Sequence, residues 1–307
     1  MIEVTNLIRR YGDFAAVNDV TFSVDPGEVV GLLGHNGAGK TTIMKMLTGY
    51  LEPSAGRICI DGVDVWSQPS TVQAQMGYLP ENSPLYPELS VLDYLSYAAR
   101  LRGLNPSQCV PEAVAATQLE AKALDPIATL SRGYKQRVGV AQAILHKPKF
   151  LVLDEPSNGL DPTQTQHMRA LIRRLAQHAT VILSTHIMQE VKAVCDRVLI
   201  LRGGTLAVDE RLETLQQVSS VMVDTAADVD VAALLRDHDA VSSARRMDEK
   251  RWDISIAGDI LAGTDAVARA LVQSGAPLFA LEPHARDLES IFNEVNEADV
   301  AEVSDAA

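Results

Sequence analysis

Gly34-His35-Asn36-Gly37-Ala38-Gly39-Lys40-Thr41 is the stretch that decides the fold, because it matches the pattern G-x-x-x-x-G-K-[ST]. Its glycines allow consecutive backbone N–H groups to point into one hollow, which suits phosphate oxygens. Lys40 is then placed to reach the β- and γ-phosphates, and the Thr41 hydroxyl to ligate Mg²⁺. Thr42 completes the loop-and-helix start, while His35 stands at a variable position and reads as incidental to chemistry. From average residue frequencies the bare pattern arises by chance in about one chain in a hundred of this length. Here the apolar run Val29–Leu33 precedes it as a buried strand, and a helical pattern from about Thr41 to Leu51 follows. That strand–loop–helix setting is the one phosphate binding requires.

Working outward, Phe150-Leu151-Val152-Leu153-Asp154-Glu155 supplies a second buried strand ending in two carboxylates. In a parallel sheet such carboxylates emerge at the ligand-binding edge. Asp154 suits Mg²⁺, directly or through a bound water, and Glu155 faces the position of an attacking water. Either carboxylate alone could be a strand-end cap; the phosphate loop favours the catalytic reading. Val181–Leu183 and Val198–Leu201 read as further strands, and Met168, Leu171, Ile172 and Leu175 fall at helical spacing after Pro162. Ser90 and Asp93 signal the start of a helix running to about Leu101. Strands alternating with helices predict an α/β domain with a largely parallel core sheet.

The chain has 307 residues, of which 47% are hydrophobic, enough for one large domain or two ordinary ones. The formal charge of −13 argues against a nucleic-acid partner bound through a broad basic surface, and against unaided adsorption to anionic lipid. Most of it is local: residues 221–307 carry 7 basic and 18 acidic side chains, against 20 and 22 in residues 1–220. This shift places a domain boundary near residues 210–218. After it, Val221–Val223, Val229–Arg236, Val241–Ala244, Trp252–Ile256, Ala266–Gln273 and Leu278–Leu281 read as β-α-β-β-α-β, a ferredoxin-like order. A last helix is expected at Leu288–Val295. The expected organisation is therefore a first domain over 1–215, an accessory α+β domain over 216–297, and an acidic, disordered tail over 298–307. Cys59, Cys109 and Cys195 are too few and too scattered for a disulfide framework, which suits a reducing cytosol. No signal peptide is apparent, and no apolar run approaches the roughly 20 residues needed to cross a bilayer. Trp66 and Trp252 are read as packing residues, and the remaining histidines show no metal-ligand spacing.

Six ordered motifs in residues 1 to about 215 resemble those of ATP-binding cassette (ABC) ATPases. Gly34–Thr41 resembles the Walker A motif and Phe150–Glu155 the Walker B motif. Leu130-Ser131-Arg132-Gly133-Tyr134-Lys135-Gln136-Arg137 resembles the signature sequence. Ser157-Asn158-Gly159-Leu160-Asp161 resembles the D-loop, His186 in Ser184-Thr185-His186 the switch histidine, and Tyr11 the aromatic residue that stacks on adenine. Arg132 stands where the commonest signature has glycine, and Glu81 where the Q-loop usually has glutamine. Both departures resemble the branch serving ABC-2-type exporters. Glu81 either ligates the metal differently or points toward a membrane partner.

The resemblance implies a P-loop ATPase fold with ATP and Mg²⁺ as cofactors, the metal held by Thr41 and Asp154, with Glu81 as a further candidate. It implies a head-to-tail dimer, of two copies or with another ABC chain. In it Tyr11 and Gly34–Thr42 of one subunit meet Ser131 and Gly133 of the other, with Asp161 in the D-loop between. Glu155 would activate water and His186 hold the γ-phosphate in line. A separate ABC-2-type permease, docked near Glu81, would place the protein on the cytoplasmic face of the cell membrane. Two other readings carry less weight. A translation- or repair-type ABC ATPase would have two cassettes or long coiled coils, and this chain has one Walker A and only a short 42–130 segment. A catalytically weak regulatory cassette is opposed by Lys40, Asp154, Glu155 and His186.

Overall fold

Ile2, Val4 and Leu7, and then Val17, Val20, Phe22 and Val24, are buried on one side of two extended stretches. Such alternation makes strands, and the chain opens with an antiparallel pair, β1 (Ile2–Tyr11) and β2 (Phe14–Val24). The structure is a computed structural model describing residues 1–215, 218–236, 238–285, 288–293 and 295. The chain divides into two compact units, Met1–Leu212 and Glu213–Ala307.

The first unit continues through β3 (Val29–Leu33), α1 (Lys40–Leu47), β4 (Ala55–Ile60), β5 (Val63–Asp64), α2 (Pro69–Gln73) and β6 (Met76–Leu79). Next come α3 (Val91–Leu101), α4 (Pro106–Ala116), α5 (Arg132–Ile144), β7 (Phe150–Asp154) and α6 (Pro162–Ala176). It closes with β8 (Thr180–Thr185), α7 (Met188–Val194), β9 (Arg197–Arg202) and β10 (Thr205–Arg211), and a short α8 (Leu212–Leu215) follows. A six-stranded sheet has the order β10-β9-β3-β8-β7-β6. Its strands are parallel except for β10. Every residue of β3, β7 and β8 is buried, which is why Val29–Leu33, Phe150–Leu153 and Val181–Leu183 read as apolar runs.

A second sheet, β2-β1-β4-β5, is wholly antiparallel; the reading of a largely parallel domain did not include it. The helices α3, α4 and α5 share their own core, with Val91, Leu95, Val110, Val114, Val138 and Ala141 buried. There the Tyr94 hydroxyl donates to Gln142 Oε1 at 2.6 Å. Ser90 caps α3, as its S-x-x-D pattern indicated.

The helix expected to run to Leu51 stops at Leu47. The Thr48 hydroxyl bonds back to Met44 O at 2.9 Å, and Gly49 follows at φ +72°, a left-handed stop. At the other end Gly39 sits at φ +104°, and a Cβ there would lie 2.6 Å from Ala16 O.

The second unit comprises β11 (Val218–Thr225), α9 (Val231–Leu235), β12 (Val241–Arg246), β13 (Arg251–Ile256), α10 (Ile260–Gln273) and β14 (Leu278–Ala285). These strands form an antiparallel sheet of order β12-β13-β11-β14. Val221, Val223, Trp252 and Ile254 pack there with Val231 and Leu235 of α9 and Val267 and Leu271 of α10. Residues 288–293 and 295 are helical, while the acidic tail at 298–307 lies outside the described residues. No described helix is long and apolar enough to cross a membrane.

Two glycines of the phosphate loop should respond differently to alanine. Gly39→Ala must both strain the backbone and displace Ala16 O, and should cost roughly 1–3 kcal/mol in urea unfolding. Gly37, at φ +87° with open space around it, should lose about 1 kcal/mol on the same change.

Candidate functional site

The strand register brings three chain segments to one edge. Leu33 of β3 lies opposite Thr185 of β8, and Asp154 of β7 opposite Ser184. The loop after β3, the carboxylates ending β7 and the histidine after β8 therefore emerge together. A cleft of about 610 Å³ opens there, lined by Tyr11, Phe14, Ala16, Asn36, Gly37, Gly39, Lys40, Thr41, Thr42, Glu81, Glu155, Asn158 and His186.

Lys40 leaves the first turn of α1 and curls back beneath its own loop. Its Nζ donates to Gly34 O at 2.7 Å and His35 O at 3.1 Å, and lies 3.7 Å from Glu155 Oε1. Burial lowers its pKa, while Glu155 and then Asp154 oppose that shift. Gly34, His35 and Ala38 do not line the cleft; the first two serve through their carbonyls.

Asp154 is fully buried. Its Oδ1 accepts from Ser184 Oγ and, at 3.3 Å, from Thr41 Oγ1. Burial raises its pKa, and those two hydroxyls work against the rise. Its other oxygen, Oδ2, is buried without a hydrogen-bond partner. An orphaned carboxylate oxygen beside a threonine hydroxyl is a hard-oxygen pair that fits Mg²⁺, which binds a nucleotide through few protein ligands and the phosphates. Among the described residues no cluster of three His, Cys, Asp or Glu side chains could hold a metal by itself. Glu81 faces this cleft, where its Oε1 accepts from Asn158 Nδ2 at 3.3 Å.

Glu155 adopts φ +50°, a left-handed conformation rare for a side chain of its kind. Its N–H donates to Ser184 Oγ at 3.0 Å and to Ser184 O at 3.1 Å, so β8 holds the turn. The carboxylate is buried between Lys40 and His186, whose Nδ1 lies 3.0 Å from Oε2. Gln136 of α5 donates to Pro156 O at 3.3 Å, tying the helical layer to this turn.

Tyr11 and Phe14 flank the tight turn joining β1 to β2 and leave their rings exposed at the cleft mouth. Arg9 covers one face of Tyr11 at 4.7 Å. Ser131, Gly133 and Asp161 do not line the cleft. Ser131 and Asp161 act as N-caps of α5 and α6. The Arg132 guanidinium lies so close to Gly159 that a Cβ there would meet its Cζ at 2.6 Å. Phe14 escaped the sequence reading, and Ser184, Gln136 and Asn158 stood in its motifs without roles of their own. The pattern Tyr-x-x-Phe about Gly12 could have revealed Phe14; the others act through bonds to backbone or carboxylates that no spacing announces.

A profile of the family described as "ABC transporter" matches residues 17–158. The ABC transporter ATP-binding protein YxlF of Bacillus subtilis is 38% identical over 228 residues, covering 73% of this chain and 76% of that protein. Nod factor export ATP-binding protein I of Rhizobium etli is 38% identical over 220 residues, 68% of each chain. A solved ATP-binding subunit of an ABC transporter superposes with a TM-score of 0.64 at 34% identity, over 70% of this chain and 92% of that one.

Ser184→Ala should leave Asp154 Oδ1 and the Glu155 N–H short of a partner. The expected cost is about 1–3 kcal/mol in denaturant unfolding, accompanied by loss of ATPase turnover.

Proposed function

The chain belongs to the ABC transporter family as an ATP-binding subunit with ATPase activity, and from that premise we propose that it powers export through a separate ABC-2-type membrane permease. The observation that carries the hydrolytic part is the Glu155 carboxylate held between Lys40 and His186 in the cleft.

ATP enters with its adenine on the Tyr11 ring, which Arg9 backs from the other side; Phe14 widens the same platform. The phosphates follow the N–H groups of Gly37–Thr42 to Lys40, whose ammonium leaves the carbonyls of Gly34 and His35 to meet them. Thr41 Oγ1 and the free Oδ2 of Asp154 would hold Mg²⁺, with Glu81 adding a third oxygen. When bound, the metal neutralises phosphate charge and orients the β- and γ-oxygens. Glu155 accepts the proton of the attacking water, and His186 keeps Glu155 and the γ-phosphate in line. Most of the acceleration is positioning and fixed charge rather than covalent chemistry.

The signature residues Ser131 and Gly133 stand outside the cleft of their own chain, which supports a head-to-tail dimer where they close the site of a partner cassette. Exposed Tyr86, Leu92 and Tyr97, beside the segment that follows Glu81, offer an apolar surface for the permease. Such docking would hold the protein at the cytoplasmic face of the cell membrane. The branch assignment rests on Glu81 and Arg132 and on likeness to a Nod factor export protein. Residues 1–215 are the motor in this reading. The acidic stretch over 216–297 is an accessory domain projecting into the cytosol.

Glu155→Gln should bind ATP with nearly unchanged affinity yet hydrolyse it at least about 100-fold more slowly, measured by phosphate release. Turnover close to wild type would remove Glu155 from the role of base.

A further inference from the structure

A further buried carboxylate, apart from Asp154 and Glu155, lies behind the hydrolytic centre. Glu190, in α7, is 4% exposed. Its Oε2 accepts from Thr185 Oγ1 at 3.1 Å, and that same hydroxyl oxygen accepts from the Ile187 N–H at 3.1 Å. Thr185 and Ile187 flank His186 on both sides. The three-residue turn that carries the imidazole is thus pinned through one hydroxyl, and that hydroxyl is oriented by Glu190. The Ser157 hydroxyl, two residues beyond Glu155, approaches the same carboxylate. The remaining oxygen, Oε1, closes no hydrogen bond of ordinary geometry.

Burying a carboxylate is unfavourable, and an apolar side chain of similar size would pack there at lower cost. Val191 and Val194 of the same helix are buried in just that way. What a carboxylate adds is direction: an acceptor that forces the Thr185 proton toward α7 and leaves the Thr185 lone pair for the Ile187 N–H. Burial raises the Glu190 pKa, with the Ser157 and Thr185 hydroxyls countering it. A protonated or amide group in its place would compete as a donor and loosen the turn.

We propose that Glu190 is a positioning residue for ATP hydrolysis, holding the Thr185–Ile187 turn so that the His186 imidazole stays on Glu155. It touches neither nucleotide nor water and acts through Thr185. The inference rests on the reading of His186 as the residue that keeps Glu155 and the γ-phosphate in line.

The test is a set of variants of the full chain, each assayed for ATP affinity and for turnover. Glu190→Gln should lower kcat about 10- to 100-fold while leaving the Kd for ATP within about twofold. Thr185→Val should show the same split, and Thr185→Ser, which keeps the hydroxyl, should recover most of the lost kcat. His186→Ala alone should lower kcat strongly. In that background Glu190→Gln should change kcat by less than about threefold, because the group it positions is gone. Full additivity of the two substitutions would overturn the inference and leave the His186 reading intact. So would a rise in Kd matching the fall in kcat, or unaltered turnover in Glu190→Gln. A His186→Ala protein with normal turnover would sink the His186 reading and this inference with it.

Discussion

The site depends on one pairing within the parallel sheet, that of β7 with β8, which sets Asp154 opposite Ser184. At this register the Ser184 hydroxyl can donate to Asp154 and accept from the N–H of Glu155. The first bond orients the carboxylate that faces Thr41; the second holds Glu155 in its left-handed turn. Sliding β8 by one residue would turn each of its side chains to the opposite face of the sheet. Asp154 would then lose its partner and Glu155 its support, while His186 would leave the cleft. The fully buried strands on either side prevent that slip, because every apolar residue in them is already committed to packing.

Much of this was legible in the residues. Val29–Leu33 and Phe150–Asp154 announce buried parallel strands through unbroken apolar runs, and Gly34–Thr41 carries its own context. The antiparallel sheet was harder to read. Asn6 and Asp19, both at positive φ, and the register shifts they accompany break the alternation of β1 and β2. The helix from Lys40 was overextended because Leu51 continues the apolar pattern, whereas Thr48 and Gly49 end it through backbone geometry. The roles of Ser184 and Gln136 were invisible for a different reason. Both make their bonds across the fold, Ser184 to Asp154 and Gln136 to Pro156, and a sequence pattern records only neighbours along the chain.

Charge follows the division of labour. The net −13 of the chain resides almost wholly beyond residue 220, in the unit built on β11 to β14. The first unit is close to neutral overall but sets Glu81 and Glu155 on the cleft with Asp154 buried beneath Thr41, opposed there by Lys40. That arrangement leaves an acidic pocket suited to a metal-bound polyphosphate rather than to a free anion. Ser131 and Gly133 lie outside it, and Arg132 is turned onto Gly159.

In the proposed function one chain carries two separate halves of a nucleotide site, which two chains complete around ATP. The most direct test is the molar mass, by light scattering, of the Glu155→Gln protein with and without Mg-ATP. A 33.2 kDa species is expected to double in mass only when ATP is bound, and Ser131→Arg to abolish the doubling without abolishing ATP binding. A protein that binds ATP and remains a monomer, or that doubles equally well with Ser131→Arg, would contradict it.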